Sequence, residues 1–385
     1  MTPKERFLAA LRREPTDRLP VTTHHVMSSF LQHTLNGIGN DEFFAMFGLD
    51  PIRWVMAYRP DPASGARYDP LHEPGAMEGR RVVSDTWRIS SEPVPDPEYP
   101  SVRYTITTPR KSLTTVLQSN EHTTWVAERL IKEKNDIDVI AEFGVVPLCD
   151  AQAVNREADA YGARGMIRGH IPTFELFGQP GCWQDASCLY GIEDLIFATV
   201  DDPEWVHRLL GILRERKAAY IRSLAGARYD LLELGGGDAS STVISPKIFD
   251  TFVAPYDAPL ITLAHEAGQR IVYHTCGGMM PLLERLAEMR PDAMETFTPA
   301  DMGGDTVLAE AKRRIGDRVC MIGGFDQFHF FTGCTPAETR RAVRSCFEAA
   351  GEGGGYILSP SDHFFQAEPE LLHAFADEAR RCTYG

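Results

Sequence analysis

The sequence predicts an α/β fold, a (β/α)8 TIM barrel with an N-terminal β-rich insertion. Three observations carry that reading. From about residue 160 onward, short apolar runs alternate with stretches of helical periodicity, the pattern of a parallel sheet with covering helices. The runs end in Gly, His, Glu or Asp, and these ligand-type residues gather at several strand ends rather than at one crevice, which favours a barrel over an open doubly wound sheet. No GxGxxG follows a first strand, so the open-sheet alternative lacks its phosphate-binding turn.

In chain order, MTPKERFLAALRREPTDRLPV reads as an amphipathic helix leading into a first strand, RLPVTTHH, residues 18 to 25. A further strand is expected near VVPLCD. Residues 60 to 125 break the rhythm: RRVVSDTWRISSE, VRYTITTP and LTTVLQS alternate in polarity among Pro, Gly and Asp. They predict an antiparallel excursion inserted early in the barrel, as a plain surface insertion or as a direct contact to substrate. The later strands are GMIRG (165 to 169), DLLELG (230 to 235), RIVYH (270 to 274), DAMETF (292 to 297), RVCMIGG (318 to 324) and GYILSP (355 to 360). Helical patterns such as EWVHRLLGILRERKAAYIRSL, PLLERLAEMR and PAETRRAVRSCFEAAG separate them. The count reaches about eight strands, in a single barrel domain spanning 1 to 385.

Composition narrows the function. The chain has 385 residues, 43% apolar and 24% charged, with a formal charge of -15. That charge, without any Lys/Arg-rich run, argues against nucleic acid and anionic membranes as partners. No stretch approaches the roughly 20 apolar residues of a membrane span, and the N-terminus lacks the apolar core of a signal peptide. The expected location is the cytoplasm, and a homodimer is compatible with the sequence. Eight cysteines without CxxC spacing read mostly as free thiols there.

The most informative run is GQRIVYHTCGGMM, residues 268 to 280, where an apolar strand stops at His274 and Cys276 before two glycines. In an extended segment positions i and i+2 face the same way, so imidazole and thiol can converge on one metal ion. Glu233 and Asp238 bracket ELGGGD, and Glu295 closes DAMETF. Carboxylates at barrel strand ends serve as metal ligands, proton donors or helix caps, and the sequence does not separate these roles. His24 and His25 follow the first strand, where alternation turns one of them inward; His170 after GMIRG has a similar position. Phe325, Phe328, Phe330 and Phe331 follow the seventh strand and Phe364 and Phe365 the eighth, placed to hold an aromatic substrate or to pack helices on the barrel. Cys320, inside an apolar strand, reads as a small buried hydrophobe.

TPKERFLAALRREPTDRLPV, DDPEWVHRLL, SPKIFDTFVAPY, IVYHTCG, ETFTPADMGGDTVLAEAK, RVCMIGGFD and GGGYILSPS together resemble the uroporphyrinogen decarboxylase superfamily over nearly the whole chain. The likeness is strongest to its branch of cobalamin-dependent methyltransferases. That resemblance implies a TIM barrel and a zinc ion held by a His-x-Cys pair and a later Cys. His274 and Cys276 match the pair. The third ligand's segment, similar to YILSPGC, here reads Tyr356 to Ser361 followed by Asp362 and His363, so the thiol is missing and Asp362 or His363 would replace it. The arginine-rich RQAGRY-like segment of true uroporphyrinogen decarboxylases is also missing: its place reads Thr22 to Ser29, which would neutralise a polycarboxylate poorly.

A zinc site with one thiolate, one imidazole and an oxygen or nitrogen ligand is a harder Lewis acid than a thiolate-rich one, and suits an ether oxygen. The implied activity is zinc-dependent demethylation of a methyl ether or methoxyaromatic compound, with the methyl group passing to the cobalt of a corrinoid. No DxHxxG motif occurs, so the cobalamin would come on a partner corrinoid protein or free in solution. Glu233, Asp238 and Glu295 are the candidate catalytic residues, His24, His170, Phe328 and Phe364 the candidate substrate contacts, and His274, Cys276, Asp362 and His363 the candidate zinc ligands. Two rivals stand beside this reading. One is a metal-free decarboxylase or lyase of a small aromatic or heterocyclic acid, anchored by Arg168 or Arg53; the other is a barrel that binds a corrinoid without turnover.

Overall fold

The computed structural model describes residues 1–75 and 77–384. Seven parallel strands pair in chain order: Ile52–Trp54, Met166–His170, Leu231–Gly235, Ile271–His274, Ala293–Thr296, Cys320–Phe325 and Tyr356–Pro360. Residues 20–22 join the two edges. Val21 bridges Leu358 in parallel, the Leu358 N–H donates to the Pro20 carbonyl at 2.9 Å, and the Asp50 N–H donates to the Val21 carbonyl at 2.7 Å. The sheet curls into an α/β barrel of the TIM type, as the periodicity predicts. All staves run the same way, so their C-terminal ends meet at one mouth.

The entry to the first stave is tied by charge. Thr2 and Glu5 form a capping box that starts helix Pro3–Leu11, satisfying amides at its N-terminus. From that helix Arg6 reaches the buried Asp50 at 2.7 Å, and Arg18 meets the same carboxylate at 2.8 Å. Asp50 also accepts from the Val21 N–H at 3.0 Å. A buried carboxylate with three such partners has its lone pairs filled, which is the condition for keeping a charge in the interior.

One strand assignment from the sequence is corrected. Leu148–Cys149, from the VVPLCD run, pairs antiparallel with Tyr58–Arg59 outside the barrel, and Ile52–Trp54 is the second stave instead. Pro147 has no N–H to give a ladder, which keeps the former pairing short. The true stave hides because Arg53 interrupts its apolar run; the guanidinium points outward, to Asp41 and Glu157.

Between the second and third staves the chain makes a four-stranded antiparallel sheet, Arg88–Val94, Ser101–Thr107, Ser112–Ser119 and Thr124–Glu128. Ile89, Ile106, Leu113 and Thr115 share one face by register and are buried, that face of the alternation being turned inward. A shorter pair, Arg67–Tyr68 with Val82–Val83, precedes it. Of the covering helices the longest is Pro203–Arg222, opened by the Asp202 side chain and a proline in its first turn, both strong start signals. Among the described residues no helix is long and apolar enough to cross a membrane.

Candidate active site

The mouth of the barrel is built by alternation. Arg168 and His170 lie on one face of the third stave, and Glu233, His274 and Glu295 arrive from the next three, with His170 opposite Glu233 and His274 opposite Glu295 in register. His24 comes from the loop after the first stave. Four potential ligand atoms, one each from His24, Glu233, His274 and Glu295, lie within 4.8 Å of one another.

The bonds within this group are specific. His24 Nε2 lies 2.9 Å from Glu233 Oε2, and His274 Nδ1 lies 3.0 Å from Glu295 Oε1. Arg168, 1% exposed, donates one Nη2 to both carboxylates, at 2.8 Å to Glu233 and more closely to Glu295. Its guanidinium stands 4.7 Å from the centre of the Trp54 ring, and the Trp54 indole N–H donates to the His24 carbonyl at 3.0 Å. Trp54 therefore fixes the backbone of one site residue and covers the charge of another.

Burial works against every charge here, yet the charges sustain each other. Burial opposes ionisation of Glu233, but His24, His274 and Arg168 bring its carboxyl down to about 2. Burial opposes that of Glu295 as well, and Arg168 and His24 hold it well below the usual carboxylate range. In the opposite sense, desolvation disfavours the His274 imidazolium, but the charge of Glu233 and bonds to Cys276 and Glu295 raise its pKa well above the ordinary value. His24 is likewise raised against its burial by Glu295 and Glu233. The carboxylates thus draw positive charge into the mouth. Two imidazole nitrogens and two carboxylate oxygens from four stave ends are a donor set that suits a divalent cation such as zinc, and the residues fit one on that ground.

The other residues singled out from the sequence divide into neighbours and absentees. Cys276 lies beside the His274 ring, and a Cβ on Gly237 would come within 2.6 Å of its sulfur, so the glycine makes room for the thiol. Asp362 and His363 pair with each other at 2.8 Å. Burial opposes the charge of Asp362, but His363, His274 and His24 lower its pKa. His25 joins the two groups, its Nδ1 2.7 Å from that of His24 and its ring 5.0 Å from that of His363. Burial and the neighbouring His24 depress the His25 pKa, which makes it a neutral acceptor.

Asp238 stands apart: its carboxylate is bonded to Gln184 at 2.8 Å and to Ser187, tying the loop after the fourth stave to helix Cys182–Tyr190. Phe364 is buried against Phe30 and Phe331, in the packing between helices and barrel. Phe328 is 51% exposed. Cys320 is fully buried in its strand, and all eight cysteines are free. The residue undervalued from sequence is Arg168. An arginine inside the apolar run GMIRG had to be buried, and a buried guanidinium requires carboxylate partners.

The family model described as Uroporphyrinogen decarboxylase (URO-D) matches residues 149–382, more than half of the chain. The chain belongs to the uroporphyrinogen decarboxylase family. Among curated relatives, the uroporphyrinogen decarboxylase of Thioalkalivibrio sulfidiphilus (strain HL-EbGR7) is 27% identical over 234 residues, covering 57% of this chain and 62% of that protein. The enzyme of Idiomarina loihiensis (strain ATCC BAA-735 / DSM 15497 / L2-TR) is 27% identical over 230 residues, covering 55% and 58%. The chain thus spans about three fifths of the length of these URO-D relatives. A solved methyltransferase from Methanosarcina mazei shares the fold over 99% of both chains, at a TM-score of 0.58 and 16% identity.

Proposed function

We propose that this member of the URO-D family is a zinc-dependent methyltransferase that removes a methyl group from a methyl ether or methoxyaromatic substrate and delivers it to the cobalt of a corrinoid protein. The observation that carries the reading is the convergence of His24, Glu233, His274 and Glu295 within 4.8 Å at the barrel mouth. Similarity of fold to a methyltransferase over the full length supports it as an analogy only.

His274, Glu233, Glu295 and His24 would hold the metal, with Cys276 adjacent. A bound zinc ion would supply Lewis acidity toward the ether oxygen, making it a better leaving group. The chain's own residues set up that chemistry. Glu295 accepts from His274 Nδ1, which fixes the orientation of the ring. Arg168 keeps Glu233 and Glu295 together and ionised. The Asp362 carboxylate holds His363 at Nδ1, so His363 Nε2 is the atom that hands a proton to the departing oxygen, an Asp–His pair orienting its imidazole in the usual way.

The metal-free decarboxylase reading, which the names of the curated relatives favour, needs a guanidinium free to anchor a carboxylate. Neither candidate is free. Glu233 and Glu295 compensate the charge of Arg168 through Nη2, its Nε having no partner among the described residues, and Asp41 and Glu157 compensate that of Arg53.

Elemental analysis of purified wild type beside Glu233→Gln, His274→Ala, Cys276→Ser and Asp362→Ala tests the reading, together with methyl transfer from 2-methoxyphenol to added cob(I)alamin. About one zinc per chain, lost in His274→Ala, with methylcobalamin formed only by the loaded protein, is the expected outcome. Wild type that takes up no metal from zinc-containing buffer, or that forms methylcobalamin equally without metal, would refute it.

A further inference from the structure

A cavity of about 280 Å³ lies between the inserted region and the rim of the barrel, and the reaction described above assigns it nothing. Tyr58, Met77 and Tyr104 line it from one side, His170 and Phe174 from the end of the third stave, and Leu213 from helix Pro203–Arg222. Rings and aliphatic groups stand among a larger share of polar lining, which suits a flat ring carrying polar substituents, and the volume is at the small end for ligand sites, with room for a single substituted ring.

Its charges are compensated in pairs. Arg81, Arg216 and Lys217 border the cavity. Each already has its carboxylate: Asp69 for Arg81, Glu175 for Arg216 and Asp185 for Lys217, all at 2.6 Å. Lys217 also donates to the Pro172 carbonyl at 2.9 Å. The remaining acidic groups of the lining, Glu73 and Glu78, are exposed on the inserted segment. The lining His72 is pushed toward the neutral form by burial. An anionic guest would find no free counter-charge and some surplus negative charge, whereas an uncharged ring has nothing to lose on entry.

The cavity also touches the site already described. His170 lies two residues beyond Arg168 on the same strand face and opposite Glu233 in register, so a guest against His170 abuts the carboxylate and imidazole cluster. Met77 lines this cavity and also the open depression, about 510 Å³, that contains His24, His25 and Trp54.

We infer that this cavity is a binding site for an uncharged aromatic molecule and that its compensated ion pairs exclude aromatic carboxylates. Resting on the function proposed above, the guest is the methoxyaromatic substrate itself. Specificity then resides in the Arg216–Glu175 pair: Glu175 compensates the guanidinium charge through Nη2 while Nη1 has no hydrogen-bond partner among the described residues, so replacing Glu175 by a neutral residue would leave an uncompensated cation facing the guest.

Calorimetric titration of the full chain with 2-methoxyphenol and with 3-methoxybenzoate, in the absence of any corrinoid, tests this directly. Wild type should bind the phenol at least about tenfold more tightly than the benzoate. Glu175→Gln keeps an oxygen for Arg216 but removes the charge; it should raise benzoate affinity about tenfold and leave phenol affinity within about threefold. Equal binding of the two probes by wild type, no binding of the phenol, or a variant that shifts both probes alike would overturn the inference. Val82→Trp, which fills the cavity from the insertion, should abolish phenol binding. Phenol binding without methyl transfer to cob(I)alamin would remove the proposed function and leave this site standing. Methyl transfer with an unchanged KM in a folded Val82→Trp protein would do the reverse.

Discussion

Replacing Arg168 by methionine is the sharpest test of how the barrel mouth is held together. Methionine preserves much of the stem and removes the guanidinium, leaving Glu233 and Glu295 without their shared donor. Both are nearly inaccessible, with side-chain exposures of 9% and 3%. The gross attraction across the 2.8 Å contact to Glu233 is about 6 kcal/mol at an effective dielectric near 20. The net loss is smaller, because burying the guanidinium had its own cost; breaking a buried ion pair from one side typically costs about 3–5 kcal/mol. His24 and His274 remain as partial counter-charges, so about 4 kcal/mol is the working value. A chain of 385 residues has an unfolding entropy of about 0.8 kcal/mol per kelvin, which converts that loss into a melting temperature lower by about 5 °C. The assay is thermal unfolding of chelator-treated protein at pH 7, followed by the same scan with excess zinc. A cation at the cluster takes over as counter-charge, so the deficit of Arg168→Met should shrink on adding metal. A variant that melts within about 1 °C of wild type without metal would refute the claim that Arg168 sustains two buried carboxylates. An equal deficit with and without metal would refute the claim that the cation and the guanidinium serve the same charges.

Other perturbations separate the site from its scaffold. Gly237→Ala sets a Cβ 2.6 Å from the Cys276 sulfur; it should displace the thiol at a cost of about 1–3 kcal/mol, read as a changed rate of Cys276 labelling against a Cys276→Ser control. Phe364→Ala, at a site 2% exposed, should lose about 3–5 kcal/mol in denaturant unfolding, whereas Phe328→Ala should stay within about 0.5 kcal/mol; equal costs would contradict their placement. Glu284 has its carboxyl lowered to about 2 by its bond to Arg314. A depressed folded pKa gives stability that is present above the ordinary value of 4.5 and lost as pH falls toward 2. Glu284 is 43% exposed, so solvent screening holds the effect below about 1 kcal/mol. Glu284→Gln should therefore narrow the gap between urea midpoints at pH 7 and pH 2.5, and an unchanged gap would show that the bond contributes nothing in solution.

The barrel was legible where strands are buried on both faces. GMIRG, DLLELG, RIVYH, DAMETF, RVCMIGG and GYILSP each coincide with a stave to within one or two residues, because continuous apolar runs between helical patterns have few other structures open to them. The first two staves were harder for a physical reason. Residues 20–22 make only a single bridge, and Ile52–Trp54 is three residues long with an outward arginine at its centre. Neither offers enough period to count. VVPLCD was the more apolar candidate and lost the place to pairings set by tertiary structure, since a two-residue ladder beside Pro147 gains little from its own composition.

The site was legible as residue types but not as a network. His274, Glu233 and Glu295 could be named from strand ends, since alternation decides which residues face the mouth. Which of them share a partner depends on strand register and stagger, and no motif in the sequence encodes that. Arg168 shows the difference. Read as an isolated cation it looked like an anchor for a substrate carboxylate; its bonds to Glu233 and Glu295 make it a fixed internal counter-ion. With that guanidinium spent, a carboxylated substrate loses its anchor. The same logic recurs at Arg53 and at Arg216, each compensated by an acidic partner. In this barrel Arg168, Arg53 and Arg216 neutralise the protein's own carboxylates, and under the function proposed above that arrangement, more than any single ligand, would favour uncharged substrates over acids.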